Sequence, residues 1–199
     1  MKNRQLTIFA SGTGTNFKTI HQATLDNRIP ATITALISNK ADAGALKYAK
    51  DQDIRTYLIS PDEYPSEKAF ADHLEEVLIA ENPDLIPLAG FLKKIPDRII
   101  TNYPGRIINI HPSLLPKYGG KGWYGMKVHQ AVIENNEAES GCTVHYVTPE
   151  YDQGPVIAQK RVTVEPNDTP ESLAKKVQEQ EHLLYPEVIR NLLINREQN

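Results

Sequence analysis

The sequence predicts an α/β fold: a mostly parallel twisted sheet with helices on both faces, and antiparallel strands late in the chain. Three observations point there. Short apolar runs alternate with amphipathic stretches of helical length. The first run passes directly into a glycine-rich loop and a helix. From Cys142 onward, two alternating segments are joined by a turn containing Gly154-Pro155.

Residues 6–10, 33–38, 56–59 and 85–88 read as buried strands. Residues 17–27, 43–52 and 66–81 carry apolar side chains at three and four spacing, as in Phe70, Leu74, Val77 and Leu78, and read as crossover helices. A further buried strand spans 106–110, followed by a Pro- and Gly-rich loop through Gly125 and a helix over 126–135. Residues 142–147 and 156–164 form the late strands. The last helix starts near Asp168-Thr169-Pro170-Glu171, where capping chemistry meets an early proline, and runs towards Leu193. At 199 residues, one domain over 1–199 is expected.

Composition narrows the partners. The net charge is −3, with no basic excess suited to phosphate backbones, so nucleic acid is not expected. Cys142 is the only cysteine, which excludes an intrachain disulfide and fits a reducing compartment. The first apolar run is far shorter than the ~20 residues of a membrane span. A cytoplasmic protein without membrane attachment is the expectation.

The loop Ser11-Gly12-Thr13-Gly14-Thr15-Asn16 lies between a strand and a helix N-terminus, where backbone amides favour an anion. A dinucleotide fingerprint would need a glycine at Phe17 and an acid in the Ser38-Asn39-Lys40 stretch. The loop suits a single phosphate, and equally a tight turn that binds nothing.

RIINIHPSLLP, residues 106–116, carries the most chemistry. Asn109 and His111 are two apart in a strand, so they share one face at its carboxyl end, where ligands of open sheets gather. Each alone is ordinarily a capping or core group. Together they pair a carbonyl-polarising amide with a proton-handling imidazole. Asp152, in the turn between the late strands, could serve that turn alone. Set against an imidazole, it would fix the ring and favour its charged form. His21, His73, His129, His145 and His182 fall where packed or solvated roles prevail. No histidine pair has metal-ligand spacing, so no metal is expected. Trp123 and Tyr124, in the 119–125 loop, suit either a ligand lid or an anchor for that loop.

Five segments carry a resemblance: SGTGTN (11–16), PDLIPLAGFLKKI (83–95), GRIINIHPSLLPKY (105–118), YDQGPVI (151–157) and VQEQEHLLYP (177–186). Through them the chain resembles, nearly end to end, the phosphoribosylglycinamide formyltransferases, folate-dependent enzymes of purine synthesis. The resemblance implies a Rossmann-like formyltransferase fold. It also implies transfer of a formyl group from 10-formyltetrahydrofolate to the amine of phosphoribosylglycinamide, by a monomer or homodimer. Asn109, His111 and Asp152 would be catalytic, with protonated His111 beside the developing oxyanion. Gly14, Thr15 and Asn16 would hold the acceptor's phosphate, and Gln178 and Glu181 its ribose. The folate would lie along Leu92, Lys93, Lys94 and Ile95, beside Asn109, and against Thr148, Pro149, Glu150, Tyr151 and Asp152.

There are departures from the family pattern. Lys93 stands where arginine is frequent and Gln153 where glycine is common, and the 119–125 loop is longer than in many relatives. Lys68 is the cation nearest the place of a folate-contacting arginine. The alternatives are a formyltransferase for a nucleotide-linked amino sugar, a formyl-folate hydrolase, and a binding module without activity. Hydrolases of this kind usually add an N-terminal domain, and initiator-tRNA formyltransferases a C-terminal one; neither is expected in 1–199.

Overall fold

The computed structural model describes residues 4–195. Seven strands form one sheet: β1 (Arg4–Phe9), β2 (Ala31–Ser38), β3 (Arg55–Leu58), β4 (Ile86–Leu88), β5 (Ile107–His111), β6 (Glu139–Tyr146) and β7 (Val156–Thr163). Their order is β3-β2-β1-β4-β5-β6-β7. Pairing is parallel from β3 to β5, and antiparallel between β5 and β6 and between β6 and β7. The chain first builds outward from β1 to β3, then returns to the other side of β1. That reversal opens a crevice above the carboxyl ends of β1 and β4, where open α/β sheets bind ligands.

Six helices cover the sheet: α1 (Thr15–Leu25), α2 (Gly44–Asp51), α3 (Glu67–Glu81), α4 (Asp97–Asn102), α5 (Met126–Glu134) and α6 (Pro170–Asn195). Strand alternation divides the core between the two faces. On one face Leu6, Ile8, Ile108 and Ile110 pack with Phe17 and Ile20 of α1, Leu46 of α2, Val132 of α5 and Leu173 and Val177 of α6. On the other, Phe9, Ile86, Leu88 and Ile107 pack with Phe70, Leu74 and Leu78 of α3 and Ile99 of α4. Asn109 and His111 share the parity of Ile107 and emerge on this second face. Among the described residues no helix is long and apolar enough to cross a membrane.

Local chemistry sets the helix ends. Ser66 accepts from the Ala69 amide at 3.1 Å and caps α3, which stops at Asn82 in the left-handed region (φ 43°). Thr169 and Ser172 exchange side-chain-to-amide bonds of 2.9 and 3.2 Å at the start of α6, with Pro170 in its first turn. Gly14 begins α1 at φ 75°, and a Cβ there would lie 2.7 Å from the Ala45 Cβ. Glycine is therefore demanded by α1–α2 packing before any ligand is considered. Deep in the core, the Tyr185 hydroxyl of α6 donates to the carbonyls of Leu88 (3.0 Å) and Ile108 (3.2 Å), tying α6 to β4 and β5.

The expected elements are present, with shifted ends. β5 reaches His111, one residue beyond the expected strand, and β6 begins at Glu139 instead of residue 142. The six-residue α4 was not foreseen, because two turns give apolar periodicity too little length to register.

Candidate active site

The crevice is a cavity of about 660 Å³. Asn109 and His111 enter it from β5, side by side on one pleat face. Asp152 enters from the β6–β7 turn at φ 56°, an uncommon conformation for a residue with a side chain. The turn is drawn tightly inward: the Tyr146 amide donates to the Pro155 carbonyl at 3.0 Å. A Cβ on Gly154 would sit 1.7 Å from the Tyr146 carbonyl oxygen, so glycine is required for that approach.

The Asp152 carboxylate holds the group together. Its Oδ2 accepts from the Gly120 amide at 2.9 Å and lies 3.6 Å from His111 Nδ1; its Oδ1 lies 3.6 Å from His145 Nε2. At 3.6 Å the two histidine contacts are longer than hydrogen bonds, and each attracts the carboxylate only when its ring carries a proton there. Burial alone would push the Asp152 carboxyl up. The His145 and His111 rings and the Gly120 amide together outweigh it and hold the group below the ordinary carboxylate range, so Asp152 is an anion at neutral pH.

The surroundings of His111 assign its protons. Its Nε2 donates to the Tyr118 carbonyl at 2.8 Å, and a carbonyl only accepts, so in the neutral ring Nδ1 carries the lone pair. The ring is 4% exposed. Burial lowers its pKa, with a smaller contribution from His145, and these exceed the opposing pull of Asp152 and the Tyr118 carbonyl. The sequence expectation had considered only the carboxylate, which favours a charged ring. In the structure desolvation dominates and the ring rests neutral at pH 7, able to take a proton at Nδ1 and present the new N–H to Asp152.

His145 is the residue that sequence reasoning left out of the site. Its Nδ1 donates to the Tyr146 carbonyl at 2.9 Å, which leaves Nε2 to accept from Asn109 Nδ2 at 3.1 Å. One amide hydrogen of Asn109 is thereby fixed and the other left for a ligand oxygen. The signal was available in the strand pairing, since Asn109 and His145 are direct partners across the antiparallel β5–β6 ladder.

At the α1 and α6 side of the cavity, Asn16 Nδ2 donates to Glu181 Oε2 at 2.8 Å, and Gln178 Nε2 donates to Thr15 Oγ1 at 3.2 Å. Residues 163 and 165 positions apart are thus joined. Asn16 Oδ1 is buried with no partner among the described residues. Burial pushes the Glu181 carboxyl up, and the Asn16 bond opposes it. Gly14 and Thr15 do not themselves border the cavity, whereas Asn16, Gln178 and Glu181 do.

The remaining predicted residues form the other walls. Leu92, Lys93, Lys94 and Ile95 follow β4, and Thr148, Pro149, Glu150 and Tyr151 precede Asp152. Ser11 positions the first of these segments: its hydroxyl donates to Asn39 Oδ1 at 2.5 Å and accepts from the Leu92 amide at 2.9 Å. Asn39, in the stretch where a dinucleotide binder would carry an acid, is used for this internal bond. Lys68 does not border the cavity; it is 79% exposed and paired with Asp72 at 2.7 Å. The 119–125 loop contributes Gly120, Lys121, Gly122, Trp123, Tyr124 and Gly125.

His129 of α5 also borders the cavity, buried to 5% exposure, with Nδ1 lacking a partner among the described residues. Burial, helped by the charge of His111, lowers its pKa to about 4. A lowered histidine pKa contributes stability that is present above the unfolded value near 6.5 and is lost as pH falls through the folded value. His129 alone should therefore cost the fold about 3 kcal/mol between pH 6.5 and 4. Urea unfolding across that range should show the loss, and His129→Leu should flatten it; an unchanged slope in the variant would contradict the assignment.

This geometry coincides with a clear relationship. The family described as formyl transferase matches residues 4–189. Phosphoribosylglycinamide formyltransferase of Escherichia coli (strain K12) is 39% identical over 184 residues, covering 92% of this chain and 84% of that protein. The chloroplastic phosphoribosylglycinamide formyltransferase of Arabidopsis thaliana is 44% identical over 190 residues, 94% of this chain and 65% of that protein. The chain thus spans just under two thirds of the length of its plant relatives. Among solved structures, phosphoribosylglycinamide formyltransferase from Bacillus halodurans superposes with a TM-score of 0.89 at 36% identity, covering 96% of this chain and 95% of that one. The chain belongs to the formyl transferase family and, within it, to the phosphoribosylglycinamide formyltransferases.

Proposed function

We propose that this protein, as one formyltransferase domain, moves the formyl group of 10-formyltetrahydrofolate to the amine of phosphoribosylglycinamide in purine biosynthesis. The observation that carries the reading is the meeting of Asn109, His111 and Asp152 in one cavity with Gln178 and the paired Asn16–Glu181, Thr15 holding Gln178 from just outside it. A formyl carbon beside the first group would face an amine whose phosphoribosyl part is held by the second. Leu92, Ile95 and the 148–152 segment suit the folate ring system, and the α1 N-terminus suits the phosphate. A cytoplasmic setting fits Cys142, a buried free thiol raised by burial to about 12 and so unreactive.

The chemistry follows from the protonation states. The neutral amine attacks the formyl carbon, and the carbonyl pair moves onto oxygen next to the free N–H of Asn109. His111 Nδ1 takes the proton released by the attacking nitrogen, and the resulting imidazolium faces the Asp152 anion. As the carbonyl re-forms, the bond from carbon to the folate nitrogen breaks and that nitrogen receives the proton. The products are the formamide and tetrahydrofolate.

The test is to mix the protein with 10-formyltetrahydrofolate and follow folate absorbance with three additions: phosphoribosylglycinamide, a nucleotide-linked amino sugar, or no acceptor. Turnover confined to the first is expected. Turnover with the sugar, or formate release without acceptor, would replace the reading with a different acceptor or with hydrolysis.

A further inference from the structure

Resting on that reading, we propose that the 119–125 loop recognises the tail of the formyl donor, with Lys121 binding the glutamate carboxylates and Trp123 and Tyr124 covering the aryl ring. Among the described residues three lysines border the cavity: Lys93, Lys94 and Lys121. Lys93 is engaged by Asp62 at 2.7 Å and Lys94 by Asp97 at 2.8 Å. Among the described residues the Lys121 side chain has no ion pair or hydrogen bond. It is the uncommitted cation of the site, while Lys68 is occupied by Asp72 away from the cavity.

The surroundings of Lys121 match the rest of such a tail. Trp123 and Tyr124 are 37% and 47% exposed, and Leu92 and Tyr151, on other walls of the same cavity, are 48% and 41% exposed. Lys127 Nζ lies over the Tyr124 ring at 5.1 Å from its centre, and the apolar surface that Trp123, Leu92, Tyr151 and the rest of Tyr124 leave open is what a flat benzoyl ring would cover. The donor joins such a ring to a group bearing two carboxylates, the same order in which the loop offers aromatics and a cation.

The loop is fastened on the donor side. The Gly120 amide is bound to Asp152 of the 148–152 segment, and the Trp123 ring meets Tyr118 edge-on at 5.4 Å. No bond among the described residues joins the loop to Thr15, Asn16, Gln178 or Glu181. The bond from Gly120 to Asp152 is what assigns Lys121, the next residue, to the donor in this proposal.

Trp123 is the only tryptophan in the chain, so its fluorescence reports directly on the loop. The full chain would be titrated with 5-formyltetrahydrofolate, a stable donor analogue, and with its dimethyl ester, in which both carboxylates are neutral. Saturable change in Trp123 emission is expected, with Kd roughly 10-fold weaker for the ester and roughly 10-fold weaker for the free acid in Lys121→Met, the ester being insensitive to the substitution. Lys121→Arg should restore binding. In turnover assays Lys121→Met should raise KM for the formyl donor, leaving kcat and the KM for phosphoribosylglycinamide unchanged. Equal affinity for acid and ester, or a Lys121 effect on the acceptor's KM instead, would overturn the proposal. Normal titrations without turnover on phosphoribosylglycinamide would instead count against the proposed reaction.

Discussion

Asn109→Ala should lower kcat ~100-fold or more, the cost of removing one preorganised oxyanion donor, about 2.7 to 4 kcal/mol. The structure makes this a sharp test because the Asn109 amide is already oriented by His145 Nε2 at 3.1 Å and has one hydrogen to offer. Asn109 is half-buried in the middle of β5, and truncating its side chain leaves the backbone pairing on both edges of the strand, so the variant should unfold at close to the normal temperature. Single-turnover measurements with both substrates saturating isolate the chemical step. Turnover within a few-fold of normal would remove Asn109 from the reacting centre.

His111→Asn should cost turnover ~10²- to 10⁴-fold, the usual range for a positioned acid–base group, with smaller changes in KM for either substrate. Because burial holds its pKa down, the acid limb of kcat/KM should fall below the ordinary histidine value of 6.5. Asp152→Asn should move that limb lower still, since it removes an anion that favours the charged ring while leaving the burial in place. A limb at or above 6.5, or one unmoved in the Asp152 variant, would assign the titration to another group. Equal losses in binding and turnover would make His111 structural.

Much of this was legible because strand parity is a strict code. Two residues apart in a strand means one face, so Asn109 and His111 were placed together from spacing alone, and the β1 glycine loop placed Asn16 at a helix start. Parity could not reveal partners from other strands. His145 becomes visible only when β6 is laid antiparallel against β5 in its register, and a one-residue slip would have put it on the opposite face. Asp152 was visible as a turn residue, but its reach depends on a left-handed backbone and the bare Cα of Gly154. The net effect on His111 was not legible for a related reason: the pull of a neighbouring carboxylate toward the charged ring can be anticipated from sequence, whereas the depth of burial that outweighs it is a property of the assembled cavity.

The two sides of the cavity share almost no secondary structure. Asn16 comes from α1 with Glu181 and Gln178 from α6, whereas the opposite walls come from segments following β4 and β6. Asn109 and His111 of β5 and His145 of its cross-strand neighbour also line the cavity. Such a layout makes the amine preference evolvable in isolation: helix-borne changes can retune who receives the carbon unit while the machinery that detaches it stays as it was.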